Sequence, residues 1–144
     1  MIHSDTIKLL RECDAGIKMG TESIDEVIDK VEEERFRKCL AACRSEHDAL
    51  RTEIQSMLDE YQDEGKNPPA LVQGMSKMKT GVMLAMEKSD STIADLMTDG
   101  CNMGVKSLNR YLNQYKAAEE RAKDITKRLI HLEEQLVVDI RPYL

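Results

Sequence analysis

Cys43 and His47 lie four residues apart, the spacing that sets two side chains on one face of a helix. A thiolate and an imidazole so placed suit a zinc or copper ion, and Cys13, Asp14 or Cys101 from facing helices could complete the ligand set. No signature ligand spacing accompanies the pair. The preferred reading of His47 is therefore structural, a core histidine holding a hydrogen bond, with a ligand or acid–base role as the alternative. His131 falls beside the Leu129 and Leu132 stripe as a boundary residue, and His3 sits in the N-terminal tail. Six of the nine methionines fall between Met75 and Met103, where helical spacing makes core packing a better account than soft-metal binding.

Other chemistries find no support in the residue pattern. No glycine-rich phosphate loop follows a strand, and no Ser/His/Asp arrangement can be assigned from spacing. A net charge of -6 opposes a phosphate-binding surface, so no nucleic-acid partner is expected. No apolar run approaches the ~20 residues that span a bilayer, and the N-terminus lacks a basic region followed by an apolar one. A cytoplasmic protein with no membrane partner is expected. Cys39 and Cys43 are neighbours on a helix but not disulfide partners, so four reduced thiols are expected.

The elements that would position these groups are helices. Phe36, Leu40, Cys43, His47, Leu50, Ile54, Met57 and Tyr61 step by alternating fours and threes, an unbroken heptad-like seam. A length of 144 residues, 41% hydrophobic residues, 3 Pro and no Trp point to one all-α domain over residues 1–144. The first helix is predicted to start after a Ser4 or Asp5 cap and end near Ile28, with Leu10, Ile17, Ile24 and Val27 inward. Asp29 and Glu32 read as a capping box opening a second helix that runs to Gly65. Residues 70–87 carry Leu71, Met75, Met78, Val82 and Met86 on one stripe, predicting either a crossover helix or part of a longer third helix. Ser89 to Ser91 then offer caps for a helix over 92–116, and a last helix covers 118–140 before Pro142.

An internal echo links two of these helices. Cys13, Gly16, Ile17 and Lys18 recur as Cys101, Gly104, Val105 and Lys106, 88 residues later, which predicts approximate two-fold symmetry. Glycine inside a helix costs about 1 kcal/mol against alanine, so Gly16, Gly20, Gly100 and Gly104 need a packing reason. An antiparallel hairpin turning near residue 30 sets His47 at the height of Cys13 to Gly16. The glycine face of the first helix, Gly16 with Gly20, and its counterpart in the third helix are thus expected to make space for the imidazole.

Leu9-Leu10 followed by Cys13 to Gly16, the run from Arg44 to Leu50, the Gly100-centred helix and the closing Ile140-Arg141 resemble a family. It is the uncharacterised ferritin-like bacterial family known as domain of unknown function 2383. The resemblance covers nearly the whole chain and implies a ferritin-like four-helix bundle, with metal binding but no established activity. Ferritin-like di-metal sites take a Glu from each of two helices and Glu-x-x-His from each of the other two. Here Arg44 precedes His47 at that spacing, Arg128 precedes His131, and Thr98-Asp99-Gly100-Cys101 stands where an acidic pair is expected. An intact di-iron centre is accordingly not expected.

The sequence thus predicts a ferritin-like four-helix bundle with a long helical crossover between its second and third helices. It is expected to be a non-catalytic structural or interaction module without a cofactor, and a homo-oligomer is compatible with Met19, Cys39 and Met83 lying off the main stripes. The alternative is a metal-binding or thiol-redox protein using His47, Cys43, Cys13, Asp14 and Cys101, with a transition metal as cofactor.

Overall fold

A computed structural model of the protein describes residues 2–68 and 89–144, without the side chain of Ile2. Among these residues there are four α-helices and no strand: α1 (Ile2–Val27), α2 (Glu34–Glu60), α3 (Asp90–Gln114) and α4 (Glu120–Asp139). Short 3-10 turns cover Ile28–Lys30 and Arg141–Tyr143. α1 packs on α2 and α3, and α4 packs on the same two helices from across the bundle. The described residues form an all-α bundle. No described helix is long and apolar enough to cross a membrane.

Side chains that reach between helix ends fix the direction of each helix. At one end, both carboxylate oxygens of Asp90 accept the backbone amides of Glu32 and Glu33 at 2.9 Å, tying the start of α3 to the start of α2. At the other end, Asp5 accepts the Ala117 amide at 3.0 Å and the Thr6 hydroxyl accepts that of Glu119 at 2.8 Å. The Tyr61 hydroxyl donates to Glu119 at 2.6 Å, and Arg121 pairs with Glu60. Phe36 and Tyr143 stack at 4.6 Å where α2 begins and α4 ends. Neighbouring helices are therefore antiparallel, and α2 ends at the opposite end of the bundle from the start of α3. The predicted crossover helix over 70–87 lies outside the described residues.

These contacts correct several local expectations. Asp5 does not cap its own helix, which starts at Ile2, but serves the α3–α4 connection. No Asp29/Glu32 capping box forms; α2 starts at Glu34 with no side-chain cap of its own, and Asp90 takes the free amides just before it. α2 stops at Glu60, and the chain leaves through Gln62 at φ 55° and Gly65 at φ 86°. Ser89 does cap α3, its hydroxyl accepting the Thr92 amide at 3.2 Å. Pro142 lies in the closing 3-10 turn.

Among the described residues the apolar interior divides into two clusters. One gathers Leu9, Leu10, Cys13, Ile17, Leu50, Ile54, Leu58, Leu108, Ile125 and Leu129. The other gathers Ile24, Val27, Phe36, Leu40, Cys43, Ile93, Met97, Cys101, Leu136 and Ile140. On every helix the gap between the clusters falls at one short interval: after Ile17, after Cys43, after Cys101 and after Ile130.

Candidate functional site

That gap is polar. From α2 comes His47, 2% exposed, and from α4 comes Glu133, 8% exposed. His47 Nδ1 lies 2.8 Å from the Cys43 carbonyl oxygen, which can only accept, so Nδ1 carries a proton and donates it. The Cys43 sulfur is 3.5 Å from the same nitrogen. Nε2 is then left facing the bundle interior, where Glu133 Oε1 stands 3.9 Å away, within ion-pair reach but beyond hydrogen-bond length. Among the described residues neither Nε2 nor Glu133 Oε2 has a hydrogen-bond partner.

Glycines from the other two helices close the level. A Cβ added to Gly20 on α1 would meet His47 Nε2 at 3.3 Å, and one added to Gly104 on α3 would overlap the Glu133 carboxylate. Each helix thus contributes one residue: Gly20, His47, Gly104 and Glu133. The expectation that the glycine face of α1 makes room for the imidazole is met at Gly20 and not at Gly16, while Gly104 on α3 lies against Glu133 and not against the ring. Gly16 has no described atom within 4 Å of an added Cβ, and Gly20, one turn on, lies against the ring. The same turn separates the sequence echo, which aligned Gly16 with Gly104, from the structural equivalence, which matches Gly20 with Gly104.

Two forces act on the histidine and one prevails. Burial favours the neutral ring, but the Cys43 contacts and the Glu133 carboxylate outweigh it and raise its pKa to about 10. Burial raises the Glu133 pKa, with His47 acting in the opposite direction. The pair therefore holds a proton at neutral pH that the same two side chains would have released in water. The site can hold a proton in a buried interior and fix the register of α2 against α4.

The five side chains read from sequence as candidate ligands go to different places. Cys13 lies in the cluster with Leu9 and Leu50, 3.2 Å from the Thr126 hydroxyl, which itself donates to the Ala122 carbonyl at 2.7 Å, so the thiol is the donor. Asp14 is fully buried, but it accepts from Lys18 Nζ at 2.8 Å and from the Lys66 amide at 3.0 Å, clasping the segment after α2 onto α1. Gly65 is required there because a Cβ would run into that carboxylate. Cys43 stays beside His47, and Cys101 joins it from α3 in the cluster around Phe36 and Leu40. Among the described residues no group of three or more His, Cys, Asp or Glu side chains is placed to hold a metal ion. Glu133 was missed, although it follows Leu129 by four and precedes Leu136 by three, a core spacing.

No family model, curated protein or solved structure matches the chain.

Cys13 and Cys101 are packing residues. Burial pushes the Cys13 pKa up to about 12 against the lowering effect of Thr126, and burial with the nearby Glu133 raises that of Cys101 further from neutrality. Reaction with a disulfide reagent such as DTNB is expected to be slow at both until the protein unfolds, because the thiolate is the nucleophile. Modification of either within the first minutes, in folded protein, would make a thiol sensor of the chain.

Proposed function

We propose that the chain is a cytoplasmic ferritin-like bundle that serves as a non-catalytic structural or interaction module. Its mid-bundle level is held by an internal His–Glu pair in the place where such bundles carry a metal centre. Supporting this reading, α2 ends at the opposite end of the bundle from the start of α3, the requirement for a long crossover. One residue from each of four helices meets at mid-bundle, again the di-metal layout.

The residues themselves do not fit that centre. Where two helices should each supply a glutamate, Gly20 and Gly104 bring no ligating atom to the level. Three residues before His47, Arg44 turns outward and pairs with Asp25 at 2.6 Å and Asp48 at 2.6 Å. Three residues after Glu133 stands Leu136, buried in the apolar cluster. The observation that carries the proposal is the pair of glycines, each lying against one of the two polar side chains.

Elemental analysis of protein purified without an affinity tag tests it. Sub-stoichiometric iron, manganese and zinc are expected in wild type and in His47→Ala alike. One or more equivalents in wild type, lost in His47→Ala, would establish the metal-binding alternative. The large exposed apolar side chains among the described residues, Met103, Val138 and Leu144, are single and scattered, so they do not by themselves define a partner surface.

A further inference from the structure

Cys39 and Cys43 stand one helical turn apart on α2, and both line a groove of about 510 Å³ between α2 and α4. Cys43 is buried, Cys39 is partly open, and both are free. We propose that this thiol pair is a binding site for a soft, two-coordinate cation, with Cu(I) as the representative ion. The proposal does not rest on the His47–Glu133 reading, since its ligands are different side chains.

Distance separates a bridge from a bond. Side chains four apart on a helix have Cβ atoms about 5–6 Å apart. A disulfide needs Cβ atoms within about 4.5 Å and an S–S bond near 2.05 Å, so the pair cannot close on itself inside a regular helix. Two metal–sulfur bonds of about 2.3 Å placed end to end span roughly 4.6 Å, a separation that side-chain rotation can supply. Thiolates favour Cu(I) over hard cations, and a linear ion asks for only two of them, so no three-ligand group is required.

Charge is also accounted for. Two thiols and one Cu(I) form an S–Cu–S unit with a net charge of minus one and release two protons to solvent. Arg35 and Lys38 on the groove wall oppose that negative charge. Glu46 and Asp139, also on the wall, act against it, and burial, helped by Asp139, raises the Cys39 pKa.

Anaerobic titration of tag-free protein against a chromophoric Cu(I) chelator tests the site. Wild type is expected to withdraw one equivalent. Cys39→Ser should weaken binding by on the order of 100-fold, because the second thiolate acts at high effective concentration. Cys13→Ser and Cys101→Ser should bind as wild type does. Cys43→Ser places a hydroxyl in the interior and could unfold the bundle, so a second readout uses wild-type protein: bound Cu(I) should protect Cys39 from iodoacetamide. No withdrawal by wild type, unchanged binding in Cys39→Ser, or unprotected Cys39 would each overturn the assignment.

Discussion

Gly104→Leu is expected to destabilise the bundle by about 3 kcal/mol, at the upper end of overpacking costs. In a chain of this size the thermal midpoint should fall by roughly 10 °C. The first added carbon already overlaps the Glu133 carboxylate, and the remaining three have only the walls of a level that four helices close. Alanine is a different case. The carboxylate ends a flexible side chain and can shift, while replacing glycine inside a helix returns about 1 kcal/mol. Gly104→Ala should therefore be near neutral in wild type and stabilising by about 1 kcal/mol in a Glu133→Ala background. Thermal melts of the two singles and the double give the coupling between positions 104 and 133 directly. A Gly104→Leu protein melting within 2 °C of wild type would mean that the level is not packed as described. Gly16→Ala serves as the control, because no described atom lies within 4 Å of its added Cβ.

How far these features were legible in the sequence depends on which force set each of them. The seam from Phe36 to Ile54 is buried residue for residue, because a stripe of apolar side chains can only be hidden one way. It departs at its end, where Leu58 is buried and Met57 and Tyr61 are only half so. A strict three–four alternation assumes 3.5 residues per turn, and a straight helix at 3.6 drifts off it. Helix ends were the least legible. Asp5 and Asp90 have the right chemistry for caps but act on other helices, which no local rule can detect. The shift from Gly16 to Gly20 has a related cause. A 3-10 turn over Ile28–Lys30 and three further residues precede Glu34, so the hairpin turns later than residue 30 and its partner heights move by about one turn. Glu133 was hidden by its charge: Leu132 matched the stripe, but the carboxylate is the residue that points inward.

A buried pair that keeps a proton must make stability depend on pH. Between pH 7 and 9 the unfolded chain has a neutral histidine and an ionised glutamate, whereas the folded pair retains one proton more. Folding then takes up a proton, and stability falls as pH rises, by at most about 1.4 kcal/mol per pH unit. The His47 pKa is raised in the folded state, so its contribution is complete below about pH 6.5 and is lost as pH climbs toward about 10. The raised pKa of Glu133 has the same sign, since its protonated form is the one burial favours. Urea denaturation at pH 7, 8 and 9 should therefore give a steadily decreasing free energy for wild type. In Glu133→Gln the side-chain amide can donate to Nε2 of a neutral ring whose Nδ1 proton still goes to the Cys43 carbonyl. That variant should lose most of the slope while keeping most of the stability at pH 8. Glu133→Ala leaves Nε2 without its only charged neighbour on α4, and a loss of roughly 2–4 kcal/mol at pH 7 is expected, limited by the ring's freedom to shed its proton. A flat wild-type profile, or an undiminished slope in Glu133→Gln, would show that the proton is held elsewhere and that the pair is not the proton-holding element of this core.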